Sequence, residues 1–342
     1  MRITDVKLTN YTVFEDMPMS FAPGINIFIG KNGTGKTHLM KLLYSAGMCA
    51  NGRITFPNKL VRTMMPLDWQ ISRLVSRHRG NRSADIQITA IGDAPSAKAQ
   101  LKMNFHAKTK KWEADVFGVE KWEKLFASDS MVFIPAKEVL SNNYNLSAAV
   151  ERGNVRFDDT YLDILNAAKV DISVGRDAKD KSRMLKDIEK MLGGKVLYDA
   201  NKDTFFLRVA GSKQEFSLVS EGVRKLALLW TLVKNGAVDN NSVLFWDEPE
   251  ANINPSSIPI ITNLLLALQR NGVQVFISTH DYFLSKYLDV NSKDTDSVKY
   301  HSLYYDGGQL CCESSEQFTL LKHNAIMETF VSLYRDEVEA AF

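Results

Sequence analysis

The spacing of apolar positions changes several times along this chain, and each change predicts an element. Near the start Ile3, Val6, Leu8, Tyr11, Val13 and Phe14 fall among polar residues, and the apolar run 25–29 follows Pro23-Gly24. Alternation punctuated by a Pro-Gly turn predicts strands. From His38 to Ala46 the apolar residues Leu39, Met40, Leu42, Leu43 and Ala46 recur at helical spacings, which predicts a helix. Alternation returns at 85–91, 101–105 and 112–116, the last two separated by Lys108-Thr109-Lys110-Lys111. These predict a small antiparallel unit inserted after the first helix. Met131-Val132-Phe133-Ile134 before Pro135 reads as a buried strand, and 138–192 is helical in composition. The segments 195–198 and 204–209 form a hairpin pattern. Two strand–helix units follow, 243–246 with 258–268 and 273–277 with 282–288. A last hairpin turns at Gly307-Gly308. A terminal helix is expected over 316–339, with Phe318, Leu320, Leu321, Ile326, Met327, Phe330, Val331, Leu333 and Tyr334 packed on the chain's own sheet or docking a partner. Strands alternating with helices predict an α/β architecture.

Composition narrows the class. At about 100–200 residues per domain, 342 residues suggest two domains or one large one with insertions. Forty-two basic against 40 acidic residues, a net of +2, exclude a polybasic nucleic-acid coat and an acidic tail but not a local patch. The stretch 59–82 is such a candidate. Lys59, Arg62, Arg73, Arg77, Arg79 and Arg82 face one acid, Asp68, and would offer phosphate contacts to DNA. Arg73 and Arg77 fall near helical spacing after Trp69, so an ordinary solvated helix face explains them equally well. Three cysteines without framework spacing point to a reducing compartment and no zinc site. No apolar run reaches the roughly 18 residues of a membrane span, and no leader pattern opens the chain. A cytoplasmic protein without membrane contact is expected.

Four short motifs carry chemistry. Gly30-Lys31-Asn32-Gly33-Thr34-Gly35-Lys36-Thr37 lies between an apolar strand and a helix. That is the setting in which glycines let backbone N–H groups and a helix N-terminus cradle phosphates. Lys36 would neutralise the β- and γ-phosphates, and the Thr37 hydroxyl would ligate Mg²⁺. The run Val243-Leu244-Phe245-Trp246-Asp247-Glu248-Pro249-Glu250 ends a strand in acids. Asp247 would hold the metal through water, and Glu248 would polarise the attacking water. Val275-Phe276-Ile277-Ser278-Thr279-His280 delivers His280 to a strand's carboxyl end, where it could sense the γ-phosphate. Ser220-Glu221-Gly222 opens a helix and is either a second anion-binding end or a plain N-cap.

The order of these motifs resembles the ABC-type ATPases, in particular the non-transporter branch of SMC, RecF and OLD-like AAA family proteins. Val6-Lys7-Leu8-Thr9-Asn10-Tyr11 and Phe21-Ala22-Pro23-Gly24-Ile25-Asn26 are similar to that branch's opening strands. Asp247-Glu248-Pro249-Glu250-Ala251-Asn252-Ile253-Asn254-Pro255 is similar to its extended acidic motif. The likeness covers roughly 1–50 and 215–290; the middle matches in layout alone. It implies a P-loop NTPase of the ABC-type ATPase head fold spanning 1–342, with an antiparallel β-rich insertion at 52–130 and a helical insertion at 136–215. The signature helix, acidic strand, His switch and C-terminal helix would fall in 216–342.

The resemblance also implies a mechanism. Two heads sandwich two ATP molecules. Residues 30–37 of one head hold ATP, Ser220 and Gly222 of the other cap its γ-phosphate, and Asn252-Ile253-Asn254 communicates across the dimer. Glu248 and His280 are then catalytic, and Thr37 and Asp247 hold Mg²⁺. Hydrolysis would open the dimer and gate a separate effector, a nuclease or toxin, in bacterial DNA repair or anti-phage defence. Two departures stand out. Glu221 occupies the place of a transporter's second signature glycine, and no clear glutamine loop exists, Gln70 and the segment 131–138 being the two places for it. A transporter nucleotide-binding subunit would carry both missing features. An ATP-binding regulator without turnover is the other alternative, against which Glu248 speaks. A ring-forming ATPase would place its acidic strand sooner after the phosphate loop.

Overall fold

A computed structural model describes residues 1–76, 82–92, 94, 97–170 and 179–341. The N-terminal part holds β1 (Arg2–Tyr11), β2 (Phe14–Ser20), β3 (Ile25–Gly30), α1 (Lys36–Met48) and α2 (Phe56–Met64). Next come β4 (Ser83–Ile91), β5 (Lys98–His106), β6 (Asp115–Phe117), α3 (Val119–Phe126) and β7 (Ser130–Ile134). The helices α4 (Leu146–Glu151), α5 (Asp159–Ala168) and α6 (Lys179–Leu192) precede β8 (Lys195–Asp199), β9 (Thr204–Val209) and β10 (Ser212–Glu215). The rest is α7 (Glu221–Lys234), β11 (Ser242–Asp247), α8 (Ile258–Arg270), β12 (Gln274–Ser278), α9 (Tyr282–Asn291), β13 (Val298–Asp306), β14 (Gln309–Ser315) and α10 (Ala325–Ala341).

Three sheets result. The central one has the order β14-β13-β3-β12-β11-β7 and is parallel except for the β13–β14 hairpin. An antiparallel sheet β2-β1-β4-β5-β6 flanks it, and β10-β9-β8 forms a small third sheet. The strands β3, β11 and β12 are buried along their whole length and mostly apolar because both their faces are covered. Their period-two alternation divides them between two cores. Ile27, Leu244, Trp246, Val275 and Ile277 face the helices that follow β7. Phe28, Phe133, Phe245 and Phe276 face α1 and the antiparallel sheet. Phe133, Phe245 and Phe276 stand directly opposite one another in the parallel register. Their rings stack at centroid separations of 6.1 and 5.0 Å, within the range in which aromatic pairs attract.

Three sequence expectations change. Lys59 is not a surface cation. It is buried on α2, where its ammonium lies 2.8 Å from Asp159 and 2.6 Å from Asp163 of α5. Arg62 is paired 2.9 Å from Asp159 as well, so both are committed to holding α2 against the helical insertion rather than free for DNA. Arg73 does not sit on a long helix. Residues 67–69 and 71–74 form two short tight turns, and Arg77 and Arg79 lie outside the described residues. The terminal helix starts late, at Ala325, after Phe318 and Leu321 have been buried in a non-helical connection. Its first turn leans on the core and Phe330 stacks on Tyr282 at a centroid separation of 4.3 Å, yet every described residue from Glu328 onward is exposed. Among the described residues no helix is long and apolar enough to cross a membrane.

The ion cluster around Lys59 also includes Tyr44, which donates to Asp163 at 2.6 Å, and Lys41, 2.8 Å from Asp158. Breaking a buried pair strands an uncompensated charge. Lys59→Met is therefore expected to lower stability by about 3 kcal/mol, read as the midpoint of urea unfolding. An unchanged midpoint would show that the cluster does not hold the two parts together.

Candidate nucleotide-binding site

The site forms where the parallel strands of the central sheet end at their carboxyl termini. Here β3 stops at Gly30 and the chain turns through Gly33 and Gly35 into α1. Two of these glycines are required by geometry. Gly30 has φ 143°, and a methyl group on it would come within 2.3 Å of the Leu303 carbonyl oxygen. Gly35 has φ 87°, and a methyl group there would press to 2.7 Å against Val13 and Phe14. Glycine alone tolerates both demands.

The loop encloses a cavity of about 200 Å³ lined by Asn32, Gly33, Gly35, Lys36, Thr37, His38, Glu248 and His280. Lys36 is buried, and its ammonium donates to the carbonyl oxygens of Gly30 at 2.8 Å and Lys31 at 3.2 Å. Burial pushes it down to about 8, against the pull of Asp247, Glu248 and Glu250, so it remains mostly charged at neutral pH. The Thr37 hydroxyl donates to both Asp247 oxygens, at 3.1 and 3.0 Å, and the Ser278 hydroxyl donates to Asp247 from the end of β12. A hydroxyl and a carboxylate held this close are hard oxygen donors of the kind Mg²⁺ takes alongside phosphate oxygens, so the residues present fit that ion.

Glu248 follows with φ 47°, a costly conformation for a side chain other than glycine. Its N–H donates to the Ser278 carbonyl at 3.1 Å, which holds the turn in place. Its carboxylate lies 3.9 Å from His280 Nε2. Burial first, then Lys36, lowers the His280 imidazole below its ordinary value, so the contact is not a charged pair at neutral pH.

Glu250 is a further member of the site that no motif singles out. One of its oxygens accepts from the Thr279 hydroxyl at 2.6 Å and from the His280 N–H at 3.2 Å. The other is buried without a hydrogen-bond partner among the described residues. Burial raises this carboxyl to about 7. Its place three residues after Asp247 was the available signal.

Ser220 and Gly222 are not brought into this cavity. Ser220 stands at the N-cap of α7 with an exposed hydroxyl that makes no capping bond. Gly222 packs against the loop 252–254; a methyl group on it would come within 2.8 Å of the Asn252 carbonyl. Two neighbours on α7 have interior partners. Arg224 lies 2.7 Å from Glu138, just beyond β7, and Lys225 donates to the carbonyls of Glu248 at 3.3 Å and Ala251 at 2.9 Å. Gln70 does not line the cavity; its side-chain oxygen accepts from the Lys111 N–H at 2.8 Å.

Known proteins resemble this chain. Residues 25–286 match the AAA_21 family, described as "AAA domain, putative AbiEii toxin, Type IV TA system". The DNA replication and repair protein RecF of Lysinibacillus sphaericus is 40% identical over 62 residues, covering 18% of this chain and 17% of that protein. RecF of Limosilactobacillus fermentum is 30% identical over 92 residues, covering 27% and 24%. The matched segment thus spans about a quarter or less of these relatives. Among solved structures, an SMC head bound to the C-winged helix domain of ScpA superposes with a TM-score of 0.60 at 11% identity, covering 92% of this chain and 98% of that one. The SMC head domain from Thermotoga maritima gives 0.52 at 14% identity, covering 92% and 100%. The chain has the SMC head fold and belongs to the AAA_21 family.

Proposed function

We propose that this chain binds ATP with Mg²⁺ at the cavity between the phosphate loop and the ends of β11 and β12, and hydrolyses it. The observation that carries this reading is the Asp247 carboxylate, gripped by hydroxyls from the phosphate-loop helix and from β12 with Glu248 beside it. Loop N–H groups and Lys36 would bind the phosphate oxygens. Lys36 would exchange its two carbonyl acceptors for them. Thr37 and Asp247 would hold Mg²⁺, which when bound supplies positive charge against the phosphates. Glu248 would take the proton of the attacking water. His280, neutral and anchored through its backbone by Glu250, would contact the γ-phosphate.

Ser220 and Gly222 complete the reading. Turned away from their own cavity, they would serve a second copy's ATP, and Asn252, against which Gly222 packs, would lie near that junction. Nucleotide-driven dimerisation of this kind would gate a separate effector, a nuclease or toxin, in DNA repair or anti-phage defence. The RecF relatives are DNA replication and repair proteins, which supports the DNA-related role.

Glu248→Gln keeps the shape and removes the base. ATP turnover is expected to drop by about 100-fold or more, the usual contribution of a positioned base; equal rates would sink the enzyme reading. With ATP present the same variant should double in mass by light scattering, and a mass that stays put would count against the sandwich.

Glu250 provides a pH test. Its folded value near 7 lies above that of a free carboxyl. In that window the folded state holds a proton that the unfolded state has lost, so its contribution to stability falls as pH rises from about 4.5 to 7 and is level above. Glu250→Gln lacks this slope. The melting temperature of the variant minus that of the native chain, without nucleotide, should therefore climb over that interval. A flat difference would show that Glu250 is not held protonated.

A further inference from the structure

We propose that the loops at one end of the antiparallel sheet, residues 67–73 and 106–112, bind an unpaired DNA strand, with Trp69 and Trp112 stacking on bases and the surrounding Lys and Arg residues on phosphates. The proposal rests on the DNA-related role argued above, but not on ATP hydrolysis.

The two segments are far apart in sequence and joined in space. The Ile71 N–H donates to the Lys111 carbonyl at 2.6 Å, and the Lys111 N–H donates to the Gln70 side chain at 2.8 Å. This places Trp69 and Trp112 on either side of one backbone junction. The chain has five tryptophans. Trp122, Trp230 and Trp246 are buried in the cores, whereas Trp69 and Trp112 are 39% and 40% exposed, and both are here. A tryptophan is costly to leave in water and offers every base the same flat π surface.

Charge gathers at the same end of the sheet. Arg73, Lys108, Lys110 and Lys111 are exposed and make no ion pair among the described residues. The half-buried Arg82 joins them, its backbone carbonyl accepting from the Ala107 N–H at 3.1 Å. Asp68 is the one acid within these segments, with Glu113 directly after, which leaves an excess of positive charge in a chain whose overall balance is only +2. The Lys111 ammonium stands 5.7 Å over the Trp112 ring, so a cation and a stacking face occupy one point. Phosphates spaced along a strand, with bases between them, match this interleaving of positive and aromatic groups. A duplex offers phosphates but hides its base faces.

The backbone is strained where the aromatic residues are presented. Asp68, Trp69 and Lys111 adopt φ of 55°, 57° and 46°, a region that bulky residues rarely enter and that is retained mostly at binding and switch sites. This end of the sheet is also tied to the turn between β1 and β2. Ser76 N–H donates to the Asn10 carbonyl at 2.8 Å, Thr12 N–H to the Leu74 carbonyl at 2.7 Å, and Arg82 to the Asn10 side chain at 3.3 Å. The next residues of that turn, Val13 and Phe14, are the ones pressed against Gly35.

The test is fluorescence anisotropy of a labelled oligothymidylate of about 16 nucleotides, the upper site size of a single stacking platform. The nucleotide-free full chain should bind it at least about tenfold more tightly than a blunt duplex of equal length. Trp69→Ala and Trp112→Ala should each weaken binding by about tenfold. Arg73→Glu, Lys108→Glu and Lys110→Glu together should make the logarithmic salt dependence shallower by about two. All variants should retain the native melting temperature and ATP turnover, which separates failure here from failure of the ATPase reading. Duplex bound as tightly as single strand would overturn the proposal. So would tryptophan variants that bind like the native chain, or oligouridylate bound at least as tightly as oligothymidylate. Should a tryptophan variant fold poorly, Trp69→Phe, which keeps a stacking ring, must bind more tightly than Trp69→Ser measured at the same folded concentration; equal binding overturns the assignment.

Discussion

The Asp247 carboxylate is the constraint on which the site depends. It is nearly buried at the end of β11, and its oxygens accept hydrogen bonds from Thr37 at the start of α1 and Ser278 at the end of β12. A buried carboxylate left without donors would cost several kcal/mol; with both hydroxyls in place it fixes a helix and two strands to one point. The phosphate loop hangs between β3 and that helix, so its curvature is inherited from this arrangement. Glu248 and Glu250 are placed by the same turn, the first through its N–H to Ser278 and the second through Thr279 and His280.

The central sheet can bear this load because both its faces are covered. Alternation along β3, β7, β11 and β12 sends aliphatic residues one way and phenylalanines the other. A slip of one residue in any strand would exchange the two sets. It would also move Asp247 away from Ser278, its direct neighbour in the parallel register. Register and chemistry are therefore specified together, and a strand that packs correctly necessarily presents its polar end at the cavity.

Local patterns made much of this readable. The glycine loop with its flanking strand and helix, the strand ending in Asp247, and the turns at Pro23-Gly24 and Gly307-Gly308 are encoded in neighbouring residues. What escaped depends on residues distant in the chain. Nothing near Lys59 announces that Asp159 and Asp163 will neutralise it about a hundred positions later, so a cluster of cations looked like a surface. The start of the last helix escaped for a different reason. Phe318 and Leu321 are apolar because the connection is buried, not because it is helical. The sharper signal was Asn324, whose side chain accepts from the Met327 N–H at 3.1 Å and caps the helix. Glu250 was in view beside Asp247, but its partners Thr279 and His280 come from another strand's end, which no local spacing reveals.

The same long-range contacts decide how the inserted segments answer to the site. Helix α1 begins at the phosphate loop and carries Lys41 and Tyr44, which grip Asp158 and Asp163 around α5. Helix α7 carries Arg224, paired with Glu138 beyond β7, and Lys225, bonded to the carbonyls of Glu248 and Ala251. Contacts of this type are poorly suited to gradual adjustment. A buried ammonium or guanidinium displaced from its acceptors loses the attraction while keeping the desolvation cost. Small displacements of the loop helix or of the acidic turn are thus resisted, and larger ones must break whole contacts. The helical insertion is thereby mechanically part of the nucleotide site: α1 and α7 cannot shift relative to the central sheet without straining the ion pairs that hold α5 and the segment after β7.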